Sequence, residues 1–310
     1  MKLLVAYDGS KCAEAAIDDL ARSGLPQDCE TTVVSIAEVW LPPPDGDVDT
    51  GITLDPEIRE IIDRHVSENQ SVLKEANTLA NIAKDRIKAM FPGWSVRSQA
   101  TYGSPAFEIL SLSNQLRVDL IVVGSHGRSL MSRLFLGSVS QKVLTEARCS
   151  VRVARGSIQV DPGPERILVG FDGSAGSEAA VASIASRKWN QASEVRLVTV
   201  ADQSITSAIG HFMSPVKTVY DGTTTVENRR VGKRVGASLK KLQATGLTVM
   251  STVMNGDPKQ ILIEEAAHWG ADCVFVGANA SAGGFGRFLI GSTAAAVAAR
   301  AHCSVEVSRS

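Results

Sequence analysis

Two tandem α/β domains, each a parallel sheet covered by helices on both faces, are predicted by three observations. A set of short segments occurs twice in the same order. Strand and helix periodicities alternate along each copy. The hydrophobic content, 44%, is enough for two cores. Val5-Ala6-Tyr7-Asp8-Gly9-Ser10 returns as Val169-Gly170-Phe171-Asp172-Gly173-Ser174. Gly103-Ser104-Pro105 returns as Gly256-Asp257-Pro258, and Asp119-Leu120-Ile121-Val122-Val123-Gly124 as Asp272-Cys273-Val274-Phe275-Val276-Gly277. Cys149-Ser150-Val151-Arg152-Val153 returns as Cys303-Ser304-Val305-Glu306-Val307. Repetition on this scale marks a duplicated structural unit. Two copies in 310 residues give each about 150, an ordinary size for a domain with its own core. The units are placed at 1–155 and 164–310, with the Gly- and Pro-containing stretch 156–163 as linker.

The elements follow in order. Lys2–Tyr7 reads as a strand, and a helix runs from Ser10 or Lys11 to about Ser23. Thr31–Val39 is a second strand, and Leu41-Pro42-Pro43-Pro44-Asp45-Gly46 then interrupts regular structure. From about Asp55 to Met90, Ile58, Ile61, Ile62, Val66, Leu73, Ala76 and Leu79 recur with helical spacing. Ser95–Thr101 is a strand, and Pro105–Leu116 a helix whose proline suits the first turn. Val118–Val123 and Ser150–Ala154 are strands on either side of a glycine loop and its helix. The second copy repeats this order, with Thr223–Ala244 as the helix after its second strand. Alternation of this kind implies parallel strands with helical crossovers. Edge strands need cover, and pairing of Ser150–Ala154 with Ser304–Ser308 would supply it as an internal pseudo-dimer. A homodimer of chains is a second possibility.

Composition narrows the function classes. Lys+Arg number 32 and Asp+Glu 33, with net charge −3 in residues 1–156 and +2 in the remainder. Neither half has the basic excess of a nucleic-acid binder. No apolar run reaches membrane-spanning length, and Lys2-Leu3-Leu4-Val5-Ala6 is too short for a signal sequence, so a cytoplasmic location is expected. Five cysteines without a Cys-x-x-Cys pair exclude a disulfide frame or a zinc site from the reading.

The most specific signal is Gly124-Ser125-His126-Gly127, followed nine residues later by Gly137-Ser138. A buried strand ends in glycine, a loop follows, and a glycine-serine pair opens a helix. Glycines let backbone approach a ligand closely, and a helix N-terminus offers free N–H groups with partial positive charge. Together they suit phosphate. His126, Arg128, Ser129 and Arg133 add donors from the loop. If the first and fourth strands are neighbours, Asp8 shares the crevice with this loop, on the ribose or metal side. Asp8-Gly9-Ser10 also reads as a turn with a helix cap, and Cys12 sits in the first turn beside it. Arg229-Arg230 and Lys233-Arg234 read as a solvated helix face.

These segments resemble the universal stress protein domain over nearly the whole chain. The family pattern is a strand ending in Asp, a Gly-x-Pro, a strand ending in Gly, then Gly-x-x-Gly, nine residues and Gly-Ser/Thr; the first half carries every piece. The resemblance implies a doubly wound, five-stranded parallel sheet in each domain, of the adenine nucleotide alpha hydrolase-like type, and ATP binding where the motif is intact. It implies that Asp8 meets the nucleoside or a Mg²⁺ ion and that Ile36 lines the adenine pocket through its backbone. Gly124 would approach the ribose, and Gly127, Gly137, Ser138 and Val139 would hold phosphates, with Ser125, His126 and Arg128 alongside.

The second half departs from this pattern. Asp172, Val200, Gly277, Gly291, Ser292 and Thr293 stand at the corresponding places, but Ala280 replaces the second glycine and the loop is one residue longer. Arg287 is its one cation. A disturbed cradle and a weaker second site are expected, although Gly283, Gly284 and Gly286 could rebuild it. The expected function is an ATP-binding regulatory protein of the stress response, signalling to an unidentified protein partner. The loop lacks the Gly-Lys-Ser/Thr of a P-loop and an acid or base placed to activate water, so no catalytic residue is assigned. A slow Mg-dependent ATPase, and a scaffold or small-molecule carrier using the second domain, are the alternatives.

Overall fold

The computed structural model of the chain describes residues 1–39, 56–127, 136–155, 163–201, 226–278 and 290–309. The first half contains β1 (Lys2–Ala6), α1 (Lys11–Leu20), β2 (Glu30–Ala37), α2 (Pro56–Met90), β3 (Ser95–Tyr102), α3 (Pro105–Leu116), β4 (Leu120–Gly124), α4 (Ser138–Glu146) and β5 (Ser150–Ala154). The second repeats it as β6 (Arg166–Gly170), α5 (Ala175–Ala185), β7 (Glu194–Ala201), α6 (Val226–Gln243), β8 (Thr248–Asn255), α7 (Pro258–Trp269), β9 (Cys273–Gly277), α8 (Ser292–Arg300) and β10 (Ser304–Ser308). Among the described residues, no helix is long and apolar enough to cross a membrane.

All strands join one sheet in the order β3-β2-β1-β4-β5-β10-β9-β6-β7-β8. Each half contributes five parallel strands, as the alternation predicts. The two sets are continuous because β5 and β10 pair antiparallel, with Val151, Arg152 and Val153 opposite Val307, Glu306 and Val305. The pairing anticipated for the final strands is therefore present within one chain, and it closes the inner edge of both halves.

Strand residues alternate between two helical layers. Leu3 and Val5 face α1 and α2, where Ile17, Leu20 and Ile87 are buried with them. Leu4 and Ile121 face the opposite layer with Ile109 of α3 and Val143 of α4, and this core continues without a break into α7 and α8 of the second half. Ile167, Val169 and Phe275 form the third cluster against Val181 and Leu242.

Local chemistry sets the boundaries. β4 begins at Leu120 rather than Val118, because the Val118 N–H closes α3 by donating to the Ser113 carbonyl at 3.1 Å. α1 starts where Ser10 Oγ accepts the Ala13 N–H at 3.1 Å and stops before a turn that uses Gly24 at φ +63°. The helix expected from Thr223 is described from Val226; residues 202–225 lie outside the described set.

Close approach of a helix to a strand end decides one glycine in each half. A Cβ on Gly124 would lie 2.7 Å from the Cys12 carbonyl group, and one on Gly277 would lie 2.1 Å from the Gly176 carbonyl carbon. These neighbours are backbone and have little room to move. Gly277→Ala is expected to lower unfolding stability in urea by about 1–3 kcal/mol through overpacking. Stability within ~0.5 kcal/mol of the parent, the usual range for surface substitutions, would show that α5 can move away from β9.

Candidate functional site

β1 lies between β2 and β4, so the chain leaves the sheet centre in opposite directions and a crevice opens at the carboxyl ends of the strands. Asp8 follows β1 at this point. Its Oδ1 accepts the Ser10 N–H at 3.0 Å, while Gly9 adopts φ +77° and Ser10 caps α1. Turn and cap therefore both exist, as the residues predict. The other carboxylate oxygen faces across the crevice: a Cβ on Gly127 would sit 3.1 Å from Asp8 Oδ2.

The two ends of the segment between β4 and α4 are held by backbone hydrogen bonds. Ser125 N–H donates to the Ala154 carbonyl at 3.0 Å, and the Ser125 carbonyl accepts the Gly137 N–H at 2.8 Å. Ser125 thereby ties the two ends of the motif together, and its hydroxyl lies 3.1 Å from His126 Nδ1. Ser140 donates to the Gly124 carbonyl at 2.6 Å. Gly137 is the N-cap of α4 and brings no side-chain cap, so this helix presents its first turn to the crevice. Gly124 borders the crevice, but what demands a glycine there is the backbone of α1. Arg128, Ser129 and Arg133 lie outside the described residues.

These groups line a cavity of about 710 Å³. Asp8, Ile36, Gly124, His126, Gly127, Gly137, Ser138 and Val139 all border it. Ser125 is not among the lining residues and acts from behind. Sequence reasoning missed the far wall, which α2 supplies through Val72, Glu75, Ala76 and Leu79, and the Ile109 contribution from α3. Helical spacing marked Ala76 and Leu79 as a packing face, and nothing in that spacing showed that the face turns toward a ligand.

The second half builds the same turn. Asp172 Oδ1 accepts the Ser174 N–H at 2.9 Å, Gly173 has φ +77°, and Ser174 caps α5. Burial alone would raise the Asp172 carboxyl, but hydrogen bonds from Ser174 and Ser177 outweigh it and hold the group below its usual range. Arg234 of α6 donates to the Gly173 carbonyl, so one residue of the basic patch has a structural partner. The cavity here is about 140 Å³, lined by Asp172, Val200, Leu262, Gly277, Gly291, Ser292 and Thr293 among others. Leu262 leans over Gly170, where a Cβ would lie 2.9 Å from its Cδ1. The α6 side chains at 226–233, which correspond to the wall that α2 forms in the first half, lie outside the described residues. Ala280 and Arg287 lie outside the described residues.

The two cavities thus share a frame and differ about fivefold in volume. A space of about 300–1,000 Å³ is usual for a small-molecule or cofactor site, and of these two cavities the one in the first half reaches it.

The model of the universal stress protein family matches residues 1–155 and again 164–309. A universal stress protein of Mycobacterium tuberculosis is 28% identical over 319 residues, covering 99% of this chain and 96% of its own length. One from Bacillus subtilis is 34% identical over 154 residues, which is 50% of this chain and 98% of the relative. The crystal structure of a universal stress protein from Archaeoglobus fulgidus superposes with a TM-score of 0.60 at 19% identity, covering 99% of this chain and 98% of that one, a likeness of fold. With the family model matched twice and the sheet order repeated in each half, the chain belongs to the universal stress protein family as a tandem two-domain member.

Proposed function

We propose that this protein is an ATP-binding regulator of the stress response that holds one adenine nucleotide, with Mg²⁺, in residues 1–155. The carrying observation is the 710 Å³ cavity that joins Asp8, Gly127 and the uncapped first turn of α4 on one side to an apolar slot on the other. Ile36, Val39, Val72, Leu79 and Ile109 give that slot the character an adenine ring needs. The α4 N-terminus and Gly127 give the other end the N–H groups and close backbone approach that phosphates need. No group of three His, Cys, Asp or Glu side chains that could hold a metal by itself occurs among the described residues. Mg²⁺ would therefore be held by Asp8 together with the nucleotide's own phosphates, as this ion commonly is. The second half, with its 140 Å³ cavity, takes no nucleotide of this size in this reading.

Isothermal titration of the whole chain with Mg-ATP is expected to show one site. Gly127→Val places a branched side chain against Asp8 Oδ2 and should weaken that site at least about tenfold, with an unchanged circular dichroism spectrum, since misaligning even two hydrogen bonds removes about 1–3 kcal/mol. Two equivalent sites per chain, or parental affinity in the folded variant, would overturn the reading.

Asp8→Asn keeps the turn acceptor and most of the shape while removing charge. It is expected to weaken Mg-ATP binding at least about tenfold and adenosine binding by less than about twofold, because the lost charge acts on metal and phosphate. Equal losses for both ligands would reduce Asp8 to its turn-forming role.

A further inference from the structure

The junction between the halves carries a pattern of charge and shape that neither half could satisfy with a copy of itself. We propose that the β5–β10 surface is a selective, heterotypic interface: the first half recognises the second and rejects a second copy of either. Arg152 and Glu306 face each other at the centre of the pairing, with 1% and 0% exposure. Asp19 of α1 lies behind Arg152 and binds it through both carboxylate oxygens, one of them 3.1 Å from Nη2. Arg187, just past α5, lies behind Glu306 and pairs with it. The Arg152–Glu306 separation is 3.4 Å. The buried charges therefore alternate across the junction: Asp19, Arg152, Glu306, Arg187.

The internal repeat shows what self-pairing would do. Arg152 and Glu306 are equivalent positions, as are Asp19 and Ser183, and Ser23 and Arg187. In a symmetric pair each residue at the axis meets its own copy. Two first halves would bring Arg152 against Arg152, and two second halves Glu306 against Glu306, with no water to screen either contact. Two further contacts repeat the distinction. Arg187 Nη1 donates to the Ser23 carbonyl at 2.8 Å, a bond that a Ser23–Ser23 contact would not replace, because the Ser23 hydroxyl and N–H both donate to the Leu20 carbonyl. The Trp189 ring lies on Gly24, where a Cβ would come within 2.8 Å of it; the second half has Lys188 at that place and the first has Leu25 in place of the tryptophan.

Arg22 of the first half also pairs with Asp272 of the second at 2.9 Å, and the repeat has Ser186 in place of Arg22. A further set of junction contacts is symmetric and does not discriminate. Arg155 reaches the Ala298 carbonyl at 3.2 Å, and its equivalent Arg309 reaches the Leu144 carbonyl at 2.6 Å. These, with the valine pairs of β5 and β10, hold any two halves together; the charge ladder and the Trp189–Gly24 contact choose which two. Selectivity of this form rests on repulsion in the wrong pairs as much as on attraction in the right one.

The test uses the whole protein with a protease site introduced within 156–162 and cleaved after folding. Isotopically labelled and unlabelled cleaved proteins are mixed and followed by native mass spectrometry until mixed-isotope pairs show that exchange is complete. Only pairs of one first half with one second half are expected. Homopairs approaching their statistical half of all assemblies would overturn the proposal, and so would fragments that separate without pairing. Glu306→Gln, which leaves Arg152 and Arg187 without their shared carboxylate, should speed exchange about a hundredfold or more. Trp189→Leu leaves every charge in place and should speed it at least about tenfold, as for a buried aromatic anchor, which serves if the charge variant does not fold. Exchange at the parental rate in a folded variant of either kind would show that the altered contact does not select the pair.

Discussion

The placement of β1 between β2 and β4 is the constraint on which the site depends. Two crossovers leave the middle of a parallel sheet toward opposite sides, and the carboxyl ends they vacate become a crevice. The helix after β1 must then begin hard against the end of β4. Gly124 exists for that contact, with the Cys12 carbonyl 2.7 Å from where its Cβ would be. Once α1 is seated, Asp8 is fixed by its own turn, Ser125 and Ser140 tie the end of β4 to the start of α4, and the first turn of α4 faces the same space. The polar end of the cavity is thus assembled by backbone geometry rather than by a collection of charged side chains.

The same frame in the second half yields a much smaller space, which separates frame from function. Asp172, Gly173 and Ser174 reproduce the turn almost bond for bond, and Gly277 is needed even more tightly than Gly124. Leu262 lines the smaller space beside Gly170, at the places that Ile109 and Ala6 hold in the first half. A degenerate copy can keep its architectural residues while its cavity contracts, because the architectural residues answer to the helix contact and not to a ligand. The ten-stranded sheet gives such a copy a second use. Its last strand covers β5, and its Glu306 and Arg187 complete a buried charge series that begins at Asp19.

Much of this was legible in the sequence, for identifiable reasons. The inner strands are short apolar runs buried on both faces, α1, α5 and α7 begin at side-chain caps, and the repeat shows each element order twice. The pairing of the last strands followed from the need to cover an edge. The boundary of β4 was misplaced by two residues because Val118 serves as the end of α3, a hydrogen-bond role that its apolar side chain conceals. Within the site, Asp8, Gly127 and Gly137 were marked by local grammar, and the structure gathers them around one cavity. The α2 wall was not legible, since helical spacing identifies a buried face without saying what it is buried against. The tying role of Ser125, and Ser140 altogether, were hidden for a different reason: their bonds are to backbone atoms distant in sequence, at Ala154 and Gly124. Nor did the sequence show that Arg152 and Glu306, equivalent in the repeat and opposite in charge, would meet.

The central claim is that one frame, used twice, makes one nucleotide site. Amide hydrogen exchange of the intact chain, with and without saturating Mg-ATP, tests it most directly, because it reads every backbone segment of both halves in one experiment. The account predicts slowed exchange at residues 8–13, 124–127 and 136–140, which border the cavity at the turn after β1, the end of β4 and the first turn of α4, and unchanged exchange at 172–177 and 290–295. Equal protection of both sets, or protection confined to the second, would contradict it.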